Sequence, residues 1–156
     1  MHAYYRQPAI YKDQVVFIAE DDLWTFNLKE KVARRLTANL GMIRYPQFSP
    51  DGKQIAFTST EEGISEIYIM PSEGGEAKRL TYLGAYLYTL GWKGSKIIFA
   101  SSHSSFLRGY YKLYEIDSEG GAPVELPYGR ASDISFGEKG VVLGRNTGNP
   151  ARWKRY

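Results

Sequence analysis

The chain has 156 residues, a net charge of +3, 43% hydrophobic and 24% charged residues, and no cysteine. That suits one soluble globular domain and excludes disulfides, cysteine-ligated zinc and thiol nucleophiles. The first residues lack a signal-peptide apolar core, and no stretch reaches the 18 or so apolar residues of a membrane span, so the expectation is a cytoplasmic protein that avoids the membrane. Aromatics make up 15%, with 13 tyrosines, a bias that favours strands.

From the N-terminus, residues 9–10, 14–19, 22–28 and 32–37 read as four short strands. Their turns lack glycine, so Lys12-Asp13, Glu20-Asp21 and Lys29-Glu30 must serve. Residues 38–44 read as a link. The next unit closes one strand at Gln47-Phe48 and continues with strands over 54–59, 66–70 and 77–81. Its turns are Pro50-Asp51-Gly52, Glu61-Glu62-Gly63 and Ser72-Glu73-Gly74-Gly75, where proline presets φ, aspartate bonds its own backbone and glycine accepts positive φ.

After a link over 82–86, strands are expected at 87–92, 95–100, 110–117 and 123–126. Pro123 cannot donate to a ladder, which places that last strand on a sheet edge. The connection over 101–109 is longer than its counterparts, and long loops on rigid scaffolds are where function tends to sit. The final unit has strands over 132–136 and 141–144, a loop over 145–150, and Trp153 inside a third strand.

These units repeat. Leu36-Thr37 recurs as Leu80-Thr81 and Asp22-Leu23-Trp24 as Glu66-Ile67-Tyr68, each after 44 residues; Lys112-Leu113-Tyr114 follows after a further 46. Ser72-Glu73-Gly74-Gly75 returns as Ser118-Glu119-Gly120-Gly121, and the second strands carry Val15-Val16-Phe17, Ile55-Ala56-Phe57, Ile97-Ile98-Phe99 and Val141-Val142-Leu143. A period of 40 to 46 residues with four strands per unit is the mark of a β-propeller blade. The fold class is therefore all-β: a partial β-propeller domain over 1–156, about three and a half blades at 8–37, 46–81, 87–126 and an incomplete 132–156. An unfinished ring leaves apolar faces uncovered, so the chain is expected to be a fragment of a longer protein or to associate with copies of itself.

The run Phe48-Ser49-Pro50-Asp51-Gly52-Lys53-Gln54-Ile55-Ala56-Phe57, with Ile67-Tyr68-Ile69 and residues 74–81, closely resembles the repeat of TolB-like propellers. Asp21-Asp22-Leu23-Trp24, Asn39-Leu40-Gly41, residues 142–147 and Trp153-Lys154 resemble the N-terminal six-bladed propeller of the tricorn protease family. That resemblance implies a parent that is a large cytosolic serine peptidase, assembling as a hexamer and trimming oligopeptides downstream of the proteasome. In that family this propeller holds no catalytic residues and forms a channel that gates or guides peptides. The family's basic pair for the peptide C-terminal carboxylate lies between the second and third blades; here that link, residues 82–88, has no Arg or Lys. The alternative is a stand-alone TolB-like module that binds proteins.

Chemical motifs are sparse. His103 lies among Ser102, Ser104 and Ser105, but sequence neighbours do not make a triad and no Gly-x-Ser-x-Gly elbow occurs. Glu20-Asp21-Asp22 and Glu61-Glu62 lack calcium-loop spacing, and the paired glycines precede no helix, so neither metal nor cofactor is expected. The basic tail is too modest to imply nucleic acid. The candidate peptide- or partner-contacting residues are His103, Phe106 and Arg108 of the long loop, with Arg145 and Arg152 of the tail. The partners expected are oligopeptides, and the remainder of a peptidase or further copies in a homo-oligomer.

Overall fold

The computed structural model describes residues 4–38, 40–105 and 109–145. Alternating apolar residues with turn-forming residues between them produce strands throughout, arranged as three four-stranded antiparallel sheets and one hairpin. The first sheet is β1 (Arg6–Tyr11), β2 (Gln14–Ala19), β3 (Asp22–Asn27) and β4 (Val32–Arg35). The second is β5 (Arg44–Phe48), β6 (Gln54–Ser59), β7 (Glu66–Pro71) and β8 (Lys78–Arg79). The third is β9 (Leu87–Lys93), β10 (Lys96–Ser101), β11 (Lys112–Asp117) and β12 (Val124–Arg130), and the hairpin is β13 (Asp133–Gly137) with β14 (Gly140–Gly144). Each sheet is an up-and-down meander in chain order.

Three sequence readings need correction. Pro123 precedes the edge strand rather than sitting in it, and Pro127 is the proline within β12, on the outer edge where its missing donor costs nothing. The strand expected at 77–81 is only two residues long: the Leu80 amide still bonds the Ile67 carbonyl at 2.8 Å, but the Ile67 amide goes to Thr81 Oγ1 instead of to a strand carbonyl. Arg44, read as the end of a link, begins β5. Trp153 and the expected third strand around it lie outside the described residues.

The first blade manages without turn glycines because its side chains tolerate left-handed backbone. Glu20 and Asp21 have φ of 52° and 64°, the two positive values that a type I′ hairpin requires. The next turn uses Lys31 at φ 56°, with Asn27 Oδ1 accepting from the amides of Lys29 and Glu30. Glycine is obligatory at Gly41: its φ is 67°, and a Cβ there would lie 2.5 Å from the Glu61 amide nitrogen. The link therefore packs directly on the turn after β6.

Period two then builds the core. On β6, Ile55 and Phe57 face the first sheet while Ala56 faces the third; on β7, Tyr68 and Met70 face back while Ile67 and Ile69 face forward. On β10, Ile97 and Phe99 meet the second sheet, and Ile98 and Ala100 meet the hairpin through Ile134 and Leu143. Sheets thus stack face to face, and the middle ones bury both faces. β1 contacts β5 and β5 contacts β9, so the first strand of each sheet lies innermost.

An aromatic pair recurs on the face towards the preceding sheet. Phe57 stacks on Tyr68 at 5.9 Å and Phe99 on Tyr114 at 5.6 Å, with all four rings buried. Phe17 and Trp24 are cross-strand partners at the same place in the first sheet, yet both are half-buried because no sheet covers them.

A polar latch recurs with it. In the first sheet Asp22 accepts from Thr37 Oγ1 at 3.0 Å and from Arg35, while Thr37 Oγ1 accepts from the Leu23 amide at 2.9 Å. In the second, the fully buried Glu66 accepts from Thr81 Oγ1 and from the Gly84 amide at 2.9 Å, and lies 3.3 Å from Arg79 Nη2. Thr81 Oγ1 takes the Ile67 amide at 2.9 Å. This is why Leu-Thr repeats in the sequence: the threonine satisfies the third strand's amide where the ladder ends. The third sheet reverses the charges, with Lys112 in the acid's place bonded to Glu125 at 2.9 Å, and Pro127 in place of threonine.

Thr81→Val keeps the shape but orphans the Ile67 amide and one Glu66 oxygen. It should lower unfolding free energy by about 1–3 kcal/mol, read from the denaturant midpoint, whereas a midpoint shift too small to measure would show the latch to be dispensable.

Candidate functional site

The residues most unusual in local conformation lie where the innermost strands begin. Both β1 and β5 carry a bulge, between Arg6 and Ala9 and between Arg44 and Gln47. Within the bulges Gln7 has φ 48° and Tyr45 φ 53°. Each precedes a proline, Pro8 or Pro46, so the motif Arg-x-Pro recurs at 38 residues. Bulges re-aim side chains, and a large residue held in the left-handed region stores strain that its surroundings must offset. Here Gln7 Oε1 accepts from the Tyr45 amide at 2.8 Å, tying one bulge to the next.

Two open hollows flank this rim, and Arg44 lines both. One, of about 380 Å³, is formed by Tyr4, Tyr5, Arg6, Gln7 and Arg44. The other, of about 390 Å³, includes Met42, Arg44, Tyr45, Tyr86, Tyr88 and Tyr111. Tyr45 and Tyr88 have ring centroids 5.2 Å apart, and Tyr88 and Tyr111 meet edge to face at 5.2 Å. The Tyr88 hydroxyl donates to the Ser132 carbonyl at 2.7 Å. Burial, then the neighbouring tyrosines, push its pKa up to about 12, so it stays neutral.

The two arginines differ. Arg6 Nη2 lies 2.6 Å from Asp21 Oδ1 and is neutralised. Arg44 bonds only the Met42 thioether, Nε at 3.1 Å and Nη2 at 2.9 Å, and among the described residues no carboxylate pairs with it. A thioether is a weak acceptor, so the charge remains available to a ligand.

The sequence-selected residues lie elsewhere. His103 packs its ring on Tyr114 at 4.4 Å, and its Nδ1 is 3.0 Å from Ser101 Oγ. Ser104 Oγ bonds the Tyr114 hydroxyl at 2.6 Å and so is not presented to the imidazole as a nucleophile. Arg145 follows β14 and donates to the Tyr128 carbonyl at 2.9 Å. Phe106, Arg108 and Arg152 lie outside the described residues. The triple acid Glu20-Asp21-Asp22 is divided, Asp21 to Arg6 and Asp22 to Arg35 and Thr37. Sequence reasoning missed Arg44, Tyr45 and Tyr88. The recurring Arg-x-Pro was the signal available for the first two; for Tyr88 none was, since its partners Tyr45, Tyr111 and Ser132 are distant from it in sequence.

Partial burial lowers the pKa of His103 below the ordinary histidine value of 6.5, against a smaller opposing pull from Glu125. The neutral ring is the form the fold prefers, so its contribution to stability is present above the unfolded pKa and is lost as pH falls through the folded one. NMR titration should place His103 below 6.5, and His103→Gln should flatten part of the acid-side loss of stability; a pKa above 6.5 would contradict the packing.

Residues 2–156 match the model of the tricorn protease N-terminal beta propeller domain. The chain is 37% identical over 159 aligned positions to tricorn protease homolog 1 of Streptomyces coelicolor, covering 99% of this chain and 15% of that one. It is 30% identical to a tricorn-like protease N-terminal subunit of Sulfurisphaera tokodaii, covering 100% of this chain and 82% of that one. Among solved structures it is similar to a crystal structure of the tricorn protease, with TM-score 0.84 and 29% identity, over all of this chain and 16% of that one.

Proposed function

This chain belongs to the tricorn N-terminal β-propeller family, and from that premise we propose that it is the non-catalytic propeller portion of a tricorn-like serine peptidase, guiding oligopeptides to or from the proteolytic chamber. The observation that carries the reading is the rim where β1, β5 and β9 begin: two hollows, a run of tyrosine rings and the Arg44 guanidinium, which has no carboxylate partner among the described residues, gathered beside the innermost strands. In a ring of blades those strands border the axis, so a peptide passing along it meets these groups first. Tyrosine faces and one cation suit many peptides, because each ring offers apolar area and a polar tip without demanding one side chain.

In this reading the ring has six blades, works in the cytoplasm, and is completed by the remainder of the peptidase. The chain spans only about 15% of its Streptomyces relative, and in this reading the catalytic apparatus belongs to the remainder of the peptidase. The 82% coverage of the Sulfurisphaera relative, which is named a subunit, favours a second arrangement with the same role, in which the propeller is a separate chain that joins its partners or further copies non-covalently.

A photo-crosslinking amino acid at position 86, beside the rim, should label a mixture of short peptides, whereas the same group at position 124, on the exposed edge of the third sheet, should label little. Equal labelling at both positions would remove the basis for the reading.

A further inference from the structure

The link over 82–86 walls one side of the hollow between the second and third sheets, since Tyr86 lines it. Two fastenings hold that link. On one side the Gly84 amide donates to buried Glu66 at 2.9 Å, and the Arg79 guanidinium lies 4.3 Å over the Tyr82 ring. On the other, Ser102 donates to the Tyr86 carbonyl from its amide at 3.0 Å and from its hydroxyl at 3.3 Å. Ser102 belongs to residues 101–105, where the chain leaves β10 and turns, the Ser105 amide donating to the Ser102 carbonyl at 3.0 Å.

His103 pins that turn. Its amide donates to Ser101 Oγ at 3.2 Å, and its Nδ1 lies 3.0 Å from the same oxygen. Ser101 is buried, so its hydroxyl hydrogen needs an acceptor inside the protein. A neutral imidazole with its proton on Nε2 supplies one: Ser101 donates to Nδ1 while accepting from the His103 amide. An imidazolium cannot. Its Nδ1–H and the His103 amide then converge on one oxygen, whose own hydrogen is left without an acceptor among the described residues. The proton can still arrive, because His103 is exposed to solvent.

The groups that face the ring come from three strands. Glu125 of β12 and Glu66 of β7 favour the charged form, Lys112 of β11 opposes it, and burial outweighs them, holding the pKa below 6.5. Glu125 is already engaged, 2.9 Å from Lys112 Nζ and 3.4 Å from the Tyr114 hydroxyl, which limits what it can offer the imidazolium. Tyr114, on which the ring packs, stays neutral, its pKa raised by burial. The fastened turn thus prefers the neutral ring. Fastening is complete above the ordinary histidine value and is lost as pH falls through the lower value of the folded chain.

We propose that His103 is a proton-operated catch: taking up a proton breaks its hold on Ser101, loosens residues 101–105 from the Tyr86 carbonyl and frees the link that walls the hollow. The catch belongs to the fold. Its use, to open the hollow to peptides in acid, rests on the peptide-guiding reading.

The test is amide hydrogen exchange by NMR on the 156-residue chain at about pH 8 and about pH 5, the span over which histidine titrates, corrected for the intrinsic pH dependence of exchange. Protection of the Ser102 amide should fall about fivefold at the lower pH, the low end of coupling between linked sites, while the amides of β10 hold and show the fold intact. His103→Gln, which keeps an acceptor for Ser101 and never charges, should leave Ser102 protected at both pH values. His103→Lys, a cation with no acceptor, should leave it unprotected at both. Equal protection of Ser102 at the two pH values in the unaltered chain, or the same fall in His103→Gln, would overturn the catch. The crosslinking group at position 86 separates the catch from its use, because Ser102 bonds the backbone carbonyl there, which the substitution keeps. Stronger peptide labelling at the lower pH would support the use; labelling that does not change while Ser102 opens would remove it. A catch that opens with no peptide labelled at either pH leaves the proposal standing and the guiding reading without its basis.

Discussion

A blade with apolar residues on both faces cannot stand alone, and this constraint governs the molecule. Alternation along β6 sends Ile55 and Phe57 one way and Ala56 the other, and β7 does the same with Tyr68 against Ile67 and Ile69. Each sheet must find a neighbour on either side, so the chain stacks sheets in sequence, and stacking brings the innermost strands β1, β5 and β9 together. The contrast between buried Phe57 and Phe99 and half-buried Phe17 follows directly, because the first sheet has no neighbour on that face. The buried Trp24 Nε1 has no acceptor among the described residues, nor has the buried Tyr68 hydroxyl a partner at the same repeat position of the second sheet, whereas the Tyr114 hydroxyl finds Ser104.

Rigidity produced by stacking is what lets the rim be specific. Strain at Gln7 and Tyr45 persists because the ladders on either side over-determine the backbone. The latches of Asp22 with Thr37 and of Glu66 with Thr81 fix the starts of the third strands, at the same end of the sheets as the two bulges, so the inner strands are held by their sheets rather than by the ligand. The charge reversal at Lys112 and Glu125 keeps an ion pair while dispensing with threonine, so repeats of one fold differ in chemistry at a shared position. The innermost side chains, which no ladder fixes by itself, are free to vary with function.

Much of the fold was legible because its causes are local. Period two, Pro50-Asp51-Gly52 and the spaced Leu-Thr pairs each express a physical need: a buried face, a left-handed turn residue, an amide left at the end of a ladder. Resemblance of Asp21-Asp22-Leu23-Trp24 and Asn39-Leu40-Gly41 to one family then matched the family found by comparison across residues 2–156. The site was less legible. Arg44 reads as the end of a link, and Tyr45 falls in no element, because Pro46 follows and bulges break the alternation that marks a strand. Tyr88 acquires its role only when Tyr45, Tyr111 and Ser132 converge on it from distant sequence. The length of the 101–109 loop drew attention to His103, whose ring the fold spends on Tyr114.

Native-state hydrogen exchange resolved by strand tests most directly the claim that stacking on both faces holds the structure. Amides of β6, β7, β10 and β11, in sheets covered on both sides, should exchange slowest and by a common opening; β2 and β3 should be faster, and β13 and β14 fastest. Protection in β13 and β14 equal to that in β10 would contradict the account.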